Sequence, residues 1–247
     1  MPMASGTTIE GSVALVTGAN RGIGRAITEA LLERGGQKVY ATARDPKTLD
    51  VLCERYGPRV VALRLDVTNA EQVAEVACRA TDVDVLFNNA GAYEPTELTD
   101  ATIVDVARRE LEVNYFGALR MLQGLGDTLA RRGGVVVNVG SAAGLANVPL
   151  TPTYSASKAA QHSLTQASRA LLRGVRVHGV YPGPVDTEMV KTLPLAKTPP
   201  KYVANAILDG VEAGDEDIFP DPFAVAFGER FHASPKDAER RMAALAA

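Results

Sequence analysis

The chain has 247 residues, 46% of them hydrophobic and 22% charged, enough to bury a sizeable core in one α/β domain. Its 26 Lys and Arg against 29 Asp and Glu leave a net charge of −3, which excludes the basic footprint of a nucleic-acid binder or a polybasic membrane patch. Residues 1–11 lack the charged start and apolar run of a signal peptide, and no apolar run approaches the roughly 18 residues of a membrane span. The two cysteines, Cys53 and Cys78, are too few for a disulfide framework, so the expectation is a cytoplasmic, reduced protein.

An N-terminal extension, 1–10, precedes a single domain over 11–247. Nearly continuous apolar runs at 13–17, 38–43, 59–65, 83–87, 135–139 and 175–181 read as strands covered on both faces, as in a parallel sheet. Between them lie helical patterns. The first carries Ile23, Ala26, Ile27, Ala30 and Leu31 on one face and stops at Gly35 and Gly36. A later one opens with Thr68 and Glu71 at capping-box spacing, ahead of Val73, Val76 and Ala77. Beyond about 185 the chain is interrupted by Pro194, Pro199, Pro200, Pro220 and Pro222. Helices are still expected at 203–211 and 235–246, with 217–222 the best candidate for a last strand. Strand–helix alternation of this kind predicts a doubly wound, Rossmann-type parallel sheet with helices on both faces. Ligands on such folds sit at the carboxyl ends of the strands, where the strand order reverses.

At that edge the first strand runs into Thr17-Gly18-Ala19-Asn20-Arg21-Gly22-Ile23-Gly24 and a helix. Three glycines allow a sharp turn and close backbone approach to a pyrophosphate, which the helix N-terminus would hold. The spacing is Gly-x-x-x-Gly-x-Gly rather than the commoner Gly-x-Gly-x-x-Gly. The second strand closes on Ala43-Arg44 with no carboxylate for a ribose 2′-hydroxyl. Arg44 and Arg21 instead suit a 2′-phosphate, and hence NADP(H); solvated surface charge is the alternative for each. Asp45 is either a turn residue or a partner for Arg44.

Tyr154 and Lys158, four apart, fall on one face of a helix, and of the seven tyrosines only this one has Lys at i+4. A phenol with an ordinary pKa of about 10 needs about 4 kcal/mol to act as an acid–base near neutrality. An ammonium about 4 Å away supplies that much at an effective dielectric of about 20. Ser141 ends the strand at 135–139, where its hydroxyl could polarise a carbonyl. Asn114 lies mid-helix, a poor place for Asn that calls for a specific partner or for solvent. Asn88-Asn89-Ala90-Gly91 makes another small-residue turn at the same edge.

In these motifs, in this order, the chain resembles the classical branch of the short-chain dehydrogenase/reductase family over about residues 11–190. The resemblance implies that Tyr154 is the acid–base, that Lys158 lowers its pKa and holds the nicotinamide ribose, that Ser141 binds the substrate oxygen, and that Asn114 holds a water in a proton relay. It implies cofactor contacts from Gly18, Asn20, Arg21, Gly22, Ile23 and Gly24, from Arg44, from Asp66 and Val67 at the adenine, and from Asn88, Ala90 and Gly91. Further contacts would come from Tyr154, Lys158, Pro182, Gly183, Val185 and Thr187. NADP-preferring members carry basic residues where Arg21 and Arg44 stand. Two departures matter: 68–82 is short for the family, and the usual glycine-rich last strand is missing. That strand often builds the family's tetramer, so the expectation is a homodimer through helices at 114–131 and 154–172.

The reading is an NADP(H)-dependent oxidoreductase acting on an uncharged, moderately hydrophobic ketone or aldehyde, or the matching alcohol. Substrate walls are expected from 92–98, 142–153 and 185–198, with Leu145, Val148, Leu150, Met189, Leu193 and Leu195 making them apolar. The rival is an NADP(H)-binding redox sensor without turnover. His162, His178 and His232 share no metal-ligand spacing; Ser157 and Ser163 read as capping or packing residues; Arg108, Arg109, Arg131 and Arg132 read as solvated surface. Phe219, Phe223, Phe227 and Phe231, four apart, read as core or interface packing.

Overall fold

The computed structural model describes residues 7–193 and 195–246; residues 1–6 of the extension, Pro194 and Ala247 lie outside them. In chain order the elements are β1 Val13–Val16, α1 Gly22–Glu33, β2 Lys38–Ala43, α2 Asp50–Tyr56, β3 Val60–Arg64, α3 Ala70–Arg79, β4 Val85–Asn88 and α4 Ile103–Leu111. They continue with α5 Ala118–Arg132, β5 Val135–Val139, α6 Pro152–Leu171, β6 Arg176–Val180, α7 Pro200–Ala213, β7 Asp217–Ile218, α8 Pro222–Ala233 and α9 Pro235–Ala243. One seven-stranded sheet has the order β3-β2-β1-β4-β5-β6-β7, with each neighbouring pair parallel.

The continuous apolar runs divide cleanly between the two faces. In β1, Ala14 and Val16 join a core with α1, α2 and α7, while Val13 and Leu15 join the opposite core with α3 and α5. Both faces are thus dry, which is why the strands do not alternate polar and apolar residues. α1 buries Ala26, Ile27, Ala30, Leu31 and Leu32. It ends at Arg34, where Gly35 N donates to Leu32 O and Gly36 N to Leu31 O, satisfying two carbonyls of the last turn.

Three sequence expectations change. The cap of α3 is Asn69, whose side chain accepts from Gln72 N, and Gln72 Oε1 accepts in turn from Asp66 N. Thr68 is not the cap, because its hydroxyl is spent on Asp66. Ile9, assigned to the extension, is fully buried in the α1/α7 core, and Ser12 N closes a turn onto its carbonyl. The last strand is only two residues, Asp217–Ile218. Phe219 precedes α8 while Phe223, Phe227 and Phe231 ride on it. Together with Leu145, Val148, Leu150 and Met242 they form a third apolar cluster under α8 and α9.

The strand order reverses between β1 and β4, so the turns that follow these two strands open side by side.

Candidate active site

A cleft of about 970 Å³ lies along this carboxyl edge. Gly18, Asn20, Arg21, Gly22, Ile23 and Gly24 line it at the end of β1; Arg44 lines it after β2, Asp66 and Val67 after β3, Ala90 and Gly91 after β4. Ser141, Tyr154, Lys158, Pro182, Gly183, Val185 and Thr187 complete it. Residues scattered over the chain therefore share one space.

The glycine turn is latched from β4, a role the sequence did not reveal for Thr17 and Asn89. Thr17 Oγ1 accepts from the backbone N–H of Asn89 and of Ala90, both at 2.9 Å. Asn89 Nδ2 donates to Thr17 O at 2.8 Å and Gly18 O at 3.3 Å. Gly24 packs against this latch, and a Cβ there would sit 2.3 Å from Gly18 O and 2.4 Å from Asn89 Nδ2. Gly24→Ala must therefore force α1 away from the turn. The expected result is at least a tenfold loss of dinucleotide affinity by fluorescence titration together with a lower melting temperature.

The N-terminus of α1 has no side-chain cap and no acidic residue in its first turn, leaving its N–H groups aimed at the cleft. Arg21 and Arg44 are exposed at the rim, and neither guanidinium makes a hydrogen bond or close ion pair among the described residues. Asp45 is not Arg44's partner: its carboxylate accepts from Lys47 N and caps a short 3₁₀ turn. A bare helix N-terminus beside two uncommitted guanidiniums fits a ligand with several phosphates. Burial works against ionisation of Asp66, but the hydrogen bonds from Thr68 N and Oγ1 and the charge of Arg44 hold its carboxyl below the ordinary value.

The Asn88 side chain points into the interior. It is buried, and its Nδ2 donates to Asn138 Oδ1 at 2.9 Å, while Asn138 Nδ2 donates to Thr165 Oγ1 on α6 at 3.0 Å. These side chains tie α6 to the middle of the sheet. α6 then presents Tyr154 in its first turn and Lys158 one turn on.

Asn114 lies in a π-helical segment, Glu112–Gly117, between α4 and α5. The wider turn turns its fully buried amide inward, and the polar residue is explained by its partners. Oδ1 accepts from Ala92 N at 2.8 Å, and Nδ2 donates to Ala92 O at 2.9 Å and Ser157 Oγ at 2.8 Å. Ser157 is more than a packing residue, since its hydroxyl also donates to Tyr154 O at 2.7 Å. A Cβ on Gly91 would lie 3.3 Å from Asn114 Oδ1 and 3.8 Å from Lys158 Nζ, so Gly91 sits beside both groups.

The Tyr–Lys electrostatics differ from the sequence argument. Lys158 Nζ donates to Val139 O and to Gln161 Oε1, both at 2.9 Å, and sits 5.8 Å from the centre of the Tyr154 ring. Burial pushes the Tyr154 phenol up to about 12, with Ser141 against its hydroxyl pulling the other way, and burial brings Lys158 down to about 7. Loss of water disfavours both charged forms, and this outweighs the attraction expected from spacing alone.

A stability prediction follows. Taking a lysine from 10.5 to about 7 costs the folded chain about 5 kcal/mol. The cost is full below pH 7 and fades towards 10.5, because the unfolded lysine then loses its own proton. Two lost hydrogen bonds offset part of the gain in Lys158→Met. Its melting temperature relative to wild type should nonetheless fall steadily as pH rises from 7 to 10. A difference that stays flat across that range would contradict a desolvated ammonium.

At the turn after β6, Gly183 N donates to Asp221 Oδ2 at 2.8 Å, and Asp221 Oδ1 accepts from Ala224 N at the start of α8. This buried carboxylate ties the Pro182–Gly183 turn to the C-terminal helices, a link that no local motif signals. Of the expected apolar walls, Met189 lines the cleft, whereas Leu145, Val148 and Leu150 pack into the cluster under α8 and α9. Arg109 is not simply solvated: it grips Glu94 through two hydrogen bonds of 2.8 and 2.7 Å, and both residues border the cleft with Arg108.

A family model described as short chain dehydrogenase matches residues 12–198. The chain is 34% identical over 239 residues to the 3-oxoacyl-(acyl-carrier-protein) reductase FabG of Vibrio cholerae, covering 93% of each. It is 34% identical over 192 residues to a sorbitol dehydrogenase of Cereibacter sphaeroides, covering 73% of each. Among solved structures, a short chain dehydrogenase from Burkholderia cenocepacia in complex with NADP superimposes with a TM-score of 0.89 and 40% identity, over 96% of this chain and 99% of that one. The chain belongs to the short-chain dehydrogenase/reductase family, a family of oxidoreductases.

Proposed function

We propose that this protein is an NADP(H)-dependent reductase of uncharged ketones or aldehydes, able to run in reverse on the matching alcohols. The observation that carries the proposal is the meeting of Tyr154, Lys158 and Ser141 with an uncapped helix N-terminus and two uncommitted arginines in one cleft. The NADP complex of the Burkholderia relative supports the cofactor, and the 3-oxoacyl reductase relative supports the reductive direction.

Bound NADPH would supply hydride to the carbonyl carbon. The first turn of α1 would hold the pyrophosphate, Arg21 and Arg44 the 2′-phosphate, Asp66 and Val67 the adenine. Pro182, Gly183, Val185 and Thr187 would border the nicotinamide. Ser141 Oγ donates to the substrate oxygen and Tyr154 delivers the proton from its hydroxyl, which burial keeps protonated near neutral pH. Lys158 would hold the nicotinamide ribose and, with Asn114 beside Gly91, would return a proton to the phenol from water. Met189 and Val190 offer apolar contact at the cleft.

The deciding experiment is a panel of aliphatic and aromatic ketones and aldehydes with NADPH, followed at the reduced-nicotinamide absorbance band. Turnover of uncharged members supports the proposal. Tight NADPH binding with no turnover across the panel would favour the sensor instead.

We also propose a homodimer through α5 and α6, where Phe116 and Leu119 at one helix and Leu171 on the other remain exposed. Light scattering of the purified protein tests it. No helix among the described residues is long and apolar enough to cross a membrane. A cytoplasmic location remains part of the proposal.

A further inference from the structure

Glu110 is a fully buried acid that the chemistry above does not use. It lies in the last turn of α4, four residues before Asn114 and on the same side of the chain. The two residues act on one short stretch of loop. Asn114 holds Ala92 through both its backbone N–H and its carbonyl, and Glu110 Oε1 accepts from Glu94 N at 2.9 Å. Between these anchors stands Tyr93, its ring edge-on to that of Tyr154 with centroids 5.6 Å apart. Arg109 clamps the Glu94 side chain from outside, so the segment is held on both sides.

The other carboxyl oxygen, Glu110 Oε2, and the hydroxyl of Thr153 on α6 are both buried, and neither makes a hydrogen bond among the described residues; Thr153 immediately precedes Tyr154. Burial pushes the Glu110 carboxyl up, while Glu94 N and the Thr153 hydroxyl pull the other way. One side chain thus holds the loop on one side of Tyr154, and its carboxyl feels the hydroxyl of Thr153 in the helix that carries Tyr154 on the other. An apolar residue would satisfy a purely packing role here at lower cost, because a buried acid must be desolvated.

We propose that Glu110 is a positioning residue for the reaction: it holds the Tyr93 loop beside the first turn of α6, so that Tyr93 braces the phenol of Tyr154. This rests on the assignment of Tyr154 as the acid–base.

The test compares Glu110→Gln, which keeps an acceptor for Glu94 N and a polar group beside Thr153, with Glu110→Leu, which keeps bulk but no polar atom. Tyr93→Ala removes the brace without touching the acid. Kinetics use ethyl acetoacetate and the best ketone of the panel with NADPH, and amide exchange of residues 92–97 provides a readout that needs no substrate. Glu110→Leu and Tyr93→Ala should each lower kcat/KM for the ketone by at least tenfold with NADPH affinity within threefold of wild type. Glu110→Leu should also speed exchange at 92–97 by at least tenfold, and Glu110→Gln should restore both readouts to within threefold. Wild-type kinetics and exchange in Glu110→Leu would overturn the proposal, as would equal damage in the Gln and Leu variants. If Tyr154→Phe is inactive while Glu110→Leu is normal, only the positioning role fails. If Tyr154→Phe stays active, the reading beneath it fails.

Discussion

Tyr154→Phe is expected to lower kcat by about 10² to 10⁴-fold, the usual worth of general acid–base transfer, while NADPH affinity stays within about threefold of wild type. The ring is retained, so its edge contact with Tyr93 and the packing of the first turn of α6 survive. Only the proton is removed. Retention of more than about a tenth of wild-type kcat would overturn the assignment. The direction of the pH profile follows from the same burial. With the phenol pushed up to about 12, reduction, which consumes the protonated form, should change little between pH 6 and 8 on account of this group. Alcohol oxidation needs the phenolate and should climb about tenfold per pH unit over that range, levelling off only where another step limits the rate. Positive charge brought beside the phenol by bound oxidised cofactor would move that plateau to lower pH.

Arg44→Ala should weaken NADPH by about ten- to a hundredfold and leave NADH nearly untouched. A charge-assisted hydrogen bond is worth about 1.5 to 3 kcal/mol, and about 1.4 kcal/mol is tenfold in affinity. Arg44 is exposed and has no hydrogen bond or close ion pair among the described residues, so removing it leaves no buried partner behind and the effect should be confined to the 2′-phosphate. Exposure also means screening, and the NADPH preference should shrink as salt is raised. Ala43→Asp should go further. Ala43 closes β2 and borders the cleft, so a carboxylate there would repel the phosphate and accept from the ribose hydroxyls of NADH. Values of kcat/KM for both cofactors in wild type, Arg44→Ala and Ala43→Asp decide the matter. Equal losses for NADPH and NADH in Arg44→Ala would make Arg44 structural.

The parallel sheet was legible because β-strands buried on both faces write themselves as unbroken apolar runs. The expected bounds of β2 and β5 coincide with the observed Lys38–Ala43 and Val135–Val139. The glycine turn and the four-residue spacing of Tyr154 and Lys158 were legible for a similar reason, since each is a pattern within a few residues of chain. What the sequence could not supply were contacts between residues far apart in the chain. The Thr17–Asn89 latch spans 72 positions, the Asn114–Ser157 bond 43, and the Asp221–Gly183 bond 38. Asn88 shows the same limit in reverse: its place in a turn motif suggested the cofactor, but β4–β5 register sets it opposite Asn138 in the interior. The charge states of the central pair were beyond the sequence for a different reason. Spacing gives the attraction between a phenol and an ammonium, but their desolvation depends on everything packed around them, and only the tertiary structure decided that burial dominates both.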